Sequence, residues 1–131
     1  RKVQVLGSLD QPHSLADVAD VARTLVTIGS DERAWGRVWH VPSAPARTQR
    51  QTIEALARIA GTSVAIGTLS PALLRVVGLF SPTVRELREV RYQFLEPFVV
   101  DASATESTFG ITATPLDATL AATVAWYRTR T

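Results

Sequence analysis

Arg88 and Tyr92 stand four residues apart. On a helix that spacing is one turn, so the two side chains can converge on a single point. A guanidinium grips a phosphate or carboxylate through two parallel hydrogen bonds, which makes Arg88 a candidate anchor for an anionic substrate group, with Tyr92 beside it on a cleft wall. The same stretch carries Arg85, Glu86, Glu89 and Arg91. Arg85 and Glu89 form an i,i+4 pair, and a run of this kind also fits a solvated charged face. Both readings stay open. His13 lies in a polar, proline-containing loop between a strand and a helix, where ligand contacts concentrate in α/β sheets. Its other reading is a histidine that only stabilises a turn. His40 alternates with apolar strand residues and reads as structural. Arg88, Tyr92 and His13 are thus the candidate substrate-binding residues.

Much familiar chemistry is missing. The chain has no cysteine, which excludes thiolate metal sites and cysteine nucleophiles, and its two histidines are far apart in sequence. No glycine-rich phosphate cradle, P-loop or G-x-S-x-G elbow occurs, and neither tyrosine has a lysine four residues on. A bound cofactor and a metal are therefore not expected in this chain. The formal net charge of +2 is too weak a field for nucleic acid, and no apolar run is long enough to cross a bilayer. Neither nucleic acid nor membrane is an expected partner, and a cytoplasmic location is. Apolar residues make up 46% of the 131, enough for a packed core, while methionine is absent even at position 1. Either the start has been removed or the chain is a piece of something longer.

The elements that must hold these residues alternate between strand and helix. Lys2–Leu6 reads as a short strand closing at Gly7. Val18, Val21, Ala22, Leu25, Val26 and Ile28 recur at helical spacing, with Asp17 or Asp20 as cap and Gly29 as the stop. Val38–Val41 reads as a buried strand ended by Pro42. Thr48 and Gln51 form a capping box for a helix closed by Gly61. Val64–Ile66 reads as a strand. Ser70-Pro71 and Ser81-Pro82 start two helices, the second continuing to Phe94. Phe98–Val100 reads as a strand, Ser103 and Glu106 as a second capping box, and Thr114-Pro115 as the start of a last helix through Tyr127. Trp35, Trp39 and Trp126 read as packing residues. The fold class is α/β.

Pro12-His13-Ser14, with Asp20-Val21-Ala22 following, resembles one segment of a known family, and Ala34–Pro42 resembles its next strand. Asp101-Ala102-Ser103, Phe109-Gly110 and Thr114-Pro115-Leu116 resemble its closing signature. The family is the NAD-dependent epimerase/dehydratase type of the extended short-chain dehydrogenase/reductases, and the resemblance covers nearly the whole chain. Asp17 departs from it, standing where an aromatic is usual. The family's glycine-rich cofactor turn and Tyr-x-x-x-Lys pair are not here. The resemblance therefore implies an incomplete fold: terminal strands and helices of a Rossmann-type sheet in residues 1–46, and a helix-rich α/β substrate-binding lobe in 47–131. It implies NAD or NADP for the complete protein and a sugar or other small hydroxy or carbonyl metabolite as substrate. The partners it implies are the missing N-terminal Rossmann part and, through uncovered strand edges, a second copy of the chain. By itself such a chain is not catalytically competent. The alternative is a stand-alone, non-catalytic α/β binding or interaction module.

Overall fold

Two parallel strands open the fold. In a computed structural model, which describes residues 2–86 and 90–130, β1 (Lys2–Val5) pairs in parallel with β4 (Ala65–Thr68). The register runs from Lys2 opposite Ala65 to Val5 opposite Thr68, and Leu69 N donates to Val5 O at 2.9 Å. Parallel strands need a long crossover, and here it contains helix α2 (Gln49–Ala60). Thr48 and Gln51 cap that helix reciprocally: Gln51 N donates to Thr48 Oγ1 at 3.1 Å, and Thr48 N donates to Gln51 Oε1 at 3.0 Å. Two short segments, β2 (Pro12–His13) and β3 (Arg47–Thr48), form a separate antiparallel pair. Helix α1 (Val18–Ser30) lies between them in sequence, and α3 (Pro71–Phe80) and α4 (Pro82–Glu86) follow β4. Both of the latter begin on proline, whose missing N–H is no loss there. A 3-10 turn at Arg91–Phe94, helix α5 (Ser103–Phe109) and helix α6 (Leu116–Arg128) complete the chain. The protein is mixed α/β and about half helical.

The residues sort into two compact units, each assembled from two stretches of chain. Unit 1 comprises 1–13 and 47–98, and unit 2 comprises 14–46 and 99–131. One break falls between Ala46 and Arg47, where the sequence division was placed. Each unit nevertheless takes residues from both sides of it. In unit 1, Gly7 adopts φ +83°, and a Cβ there would lie 2.4 Å from Phe94 O. Ser8 N donates to the same carbonyl at 2.8 Å. The end of β1 and the 91–94 turn therefore meet at a position only glycine fits. In unit 2 the most deeply buried side chains are Asp20, Thr24, Pro42 and Thr105.

Several expected elements take other forms. Val38–Val41 is not a buried strand: the run is irregular and Val38 is 88% exposed. Side chains hold it in place of a ladder. Trp39 meets Phe109 edge to face, with centroids 4.8 Å apart, and its Nε1 donates to Ala34 O at 2.8 Å. Phe98–Val100 makes one bridge, Phe98 to His13, before Val100 N turns to Ser14 Oγ at 3.0 Å. Helix α1 runs through Gly29 to Ser30, whose hydroxyl shares its one proton between the carbonyls of Val26 and Thr27. The Ser103–Glu106 capping box does not form, since Asp101 Oδ1 already accepts from Ser103 N at 2.9 Å. The helix expected to reach Phe94 is described over Pro82–Glu86, residues 87–89 lie outside the described ones, and Arg91–Phe94 forms a 3-10 turn instead. Trp35 and Trp126 are largely exposed, leaving Trp39 as the tryptophan that packs in the expected way.

Candidate functional site

Of the three residues chosen from the sequence, His13 reaches the backbone of the turn that carries Tyr92. His13 Nε2 lies 2.7 Å from Gln93 O and its Nδ1 lies 3.0 Å from Gln11 O. Both ring nitrogens thus face backbone carbonyls, and a neutral imidazole, with one N–H, donates to one of them at a time. His13 thereby ties β2 to the turn that carries Tyr92, whose ring is 61% exposed. Arg88 lies outside the described residues. His40 Nδ1 sits 2.9 Å from Asp101 O on an exposed ring, a hydrogen-bonded role outside any core.

A different constellation occupies unit 2. Asp17 and not Asp20 caps α1: its Oδ1 accepts from Ala19 N at 2.7 Å, and its Oδ2 accepts from Thr119 Oγ1 at 2.7 Å. The Thr119 hydroxyl and the Ala19 N–H hold the Asp17 carboxyl below its ordinary value of 3.8. Asp20 is 1% exposed. Its Oδ2 accepts from Thr114 N at 2.6 Å, and its Oδ1 accepts from Thr114 Oγ1 at 2.8 Å and from the Arg23 guanidinium one helical turn on. A carboxylate survives inside a protein only when paired in this way. The arrangement inverts the expected polarity of α1, which buries Asp20 and Thr24 while Val18, Leu25 and Val26 face outward. The apolar periodicity gives the helix but not its inner face.

Arg23 and Thr27 on α1 face the loop 110–115 across an open cleft of about 400 Å³. Gly110, in the left-handed region at φ +67°, closes α5 and launches that loop, and the buried side chains of Ile111 and Leu116 pin its two ends. Among the described residues Arg23 is the one charged residue on the wall. The i,i+3 spacing of Asp20 and Arg23 is visible in the sequence, but nothing there signals Thr114. Among the described residues no group of three His, Cys, Asp or Glu side chains gathers as a metal site, and no helix is long and apolar enough to cross a membrane.

No family model, curated protein or solved structure matches the chain.

Proposed function

We propose that this chain is the substrate-binding C-terminal part of an NAD(P)-dependent epimerase, dehydratase or reductase, and that its Rossmann portion is completed by residues outside it. The observation that carries the reading is a shortfall of burial. The accessible surface is 8918 Å² for 14.2 kDa. A monomeric globule of that mass exposes about 6,800 Å², and even two separate globules of half the mass expose about 8,200 Å². Among the described residues the buried hydrophobic side chains are four alanines, Ile111 and Leu116, while Val18, Leu79 and Phe80 are at least 80% exposed. Apolar area left in water on this scale calls for a cover.

Two further features agree. A parallel strand pair with helices in its crossover is a feature shared with doubly wound sheets, which bury both faces, although here the crossover runs through β2, α1, β3 and α2. The segments that carry the family resemblance also meet: Asp20 holds Thr114, Asp17 holds Thr119, and Ser14 holds Val100. In this reading His13, Arg88 and Tyr92 shape the substrate pocket, and the nicotinamide cofactor binds residues beyond this chain.

The coding sequence upstream of Arg1 tests the reading. An in-frame strand, glycine-rich turn and helix is expected, and calorimetry on the 131-residue chain alone should show no NAD or NADP binding. In the complete enzyme Arg88→Ala should raise KM for an anionic substrate about ten- to hundredfold, the loss of a charged hydrogen bond worth ~1.5–3 kcal/mol. A start codon immediately before Arg1, or micromolar cofactor binding by this chain, would overturn it.

A further inference from the structure

We propose that the cleft between α1 and the 110–115 loop is a binding site for a hydroxylated monocarboxylate, with Arg23 gripping the carboxylate and Thr27 and Thr114 accepting hydrogen bonds from the ligand's hydroxyls. The proposal rests on unit 2 alone and is independent of the dehydrogenase reading.

The cleft is built before any ligand arrives. Thr114 gives its N–H and its hydroxyl proton to Asp20, and Asp20 takes one edge of the Arg23 guanidinium. The chain of contacts fixes both walls to one buried carboxylate, so little ordering remains to be done on binding. Arg23 is 54% exposed and lines the cleft. A guanidinium has five N–H donors in a planar fork, so an arginine docked on Asp20 by one nitrogen keeps donors for a second carboxylate.

The class of ligand follows from where the protons go. Thr27 Oγ1 donates to Arg23 O at 2.9 Å, and Thr114 Oγ1 donates to Asp20. Each hydroxyl oxygen has spent its one proton and can only accept from a ligand. Beside the exposed Thr112, the wall therefore offers one cationic donor with two neutral acceptors, a set that suits an anion carrying O–H groups. Charge limits the anion. Arg23 and Asp20 together are neutral, so a dianion placed on the arginine also faces the Asp20 charge without compensation. A monocarboxylate adds one uncompensated negative charge where a dianion adds two, and the cleft volume of about 400 Å³ suits a small ligand.

The test is NMR titration of the isotope-labelled 131-residue chain with gluconate, acetate and inorganic phosphate. Gluconate is expected to give saturable amide shifts confined to residues 23, 27 and 110–114. Acetate, which has no O–H donor, and phosphate, which carries more negative charge, should each bind at least about tenfold more weakly. Arg23→Gln should weaken gluconate about ten- to hundredfold with the remaining spectrum unchanged. Thr27→Val should narrow the gap between gluconate and acetate. No saturable shift with gluconate, equal binding of phosphate, or full gluconate binding by Arg23→Gln would each overturn the proposal.

Discussion

Removing Asp20 should cost more stability than removing Arg23, although the two form one ion pair. Asp20 accepts from Thr114 N, Thr114 Oγ1 and Arg23. Single bonds to a charged group are worth ~1.5–3 kcal/mol, but they offset the several kcal/mol of burying the carboxylate and do not add. In Asp20→Ala that burial cost disappears together with the bonds. What persists is the Thr114 N–H without its acceptor, a penalty of ~1–3 kcal/mol, and a small void. The total is about 2–4 kcal/mol. Arg23 is 54% exposed, so in Arg23→Ala water replaces the guanidinium on the solvent side of Asp20. Half-exposed pairs of this kind are worth about 1 kcal/mol. Trp35, Trp39 and Trp126 all lie in unit 2, so urea denaturation followed by tryptophan fluorescence reads this unit directly. An Arg23→Ala loss equal to that of Asp20→Ala, or an Asp20→Ala loss under about 0.5 kcal/mol, would show that the buried carboxylate does not hold the 110–115 loop.

Gly7→Ala should destabilise unit 1 by about 2–4 kcal/mol, since it combines a left-handed backbone with a clash on Phe94, whereas Gly36→Ala, at φ +70° in open space, should cost only about 1; circular dichroism melts that rank the two equally would refute the difference. Asp17, Asp31 and Asp101 all lie in unit 2, and Thr119, Arg33 and the Ser103 N–H respectively are the chief groups holding them below the ordinary 3.8. Their folded values lie below their unfolded ones, so their contribution to stability is complete above 3.8 and is lost as pH falls through the folded values. Asp17→Asn should flatten the acid limb of the stability curve, and an unchanged limb would contradict the Thr119 contact. Sedimentation should show association growing with concentration, through the free edges of β1 and β4 and the exposed apolar side chains; a clean monomer at high concentration would argue against it.

Local chemistry made the helices legible. The Thr48–Gln51 capping box, the two Ser-Pro starts and the final helix stand where their residues put them, because caps and proline act within one turn. The two strand misreadings share one cause. Val38–Val41 and Phe98–Val100 have strand composition, but a strand exists only where a ladder partner reaches it, and Trp39 and Ser14 supplied other anchors. The Asp20–Thr114 contact spans 94 residues, and no local pattern could announce it. Of the candidate site, the approach of His13 to the Tyr92 turn emerged only in three dimensions, through a backbone carbonyl that carries no sequence signal.

The inverted α1 bears on the choice between the two functional readings. A free-standing module would gain by turning Val18, Leu25 and Val26 inward, at ~1.5–3 kcal/mol for each side chain fully buried. It would then have to expose Asp20 and release the 110–115 loop. The chain instead keeps the polar face inside and leaves the apolar stripe in water. That choice is costly for an isolated domain and costs nothing once another apolar surface covers the stripe. The same holds for Leu79 and Phe80 at the end of α3. The outward apolar faces of α1 and of the end of α3 favour the proposed reading, in which a further surface covers them.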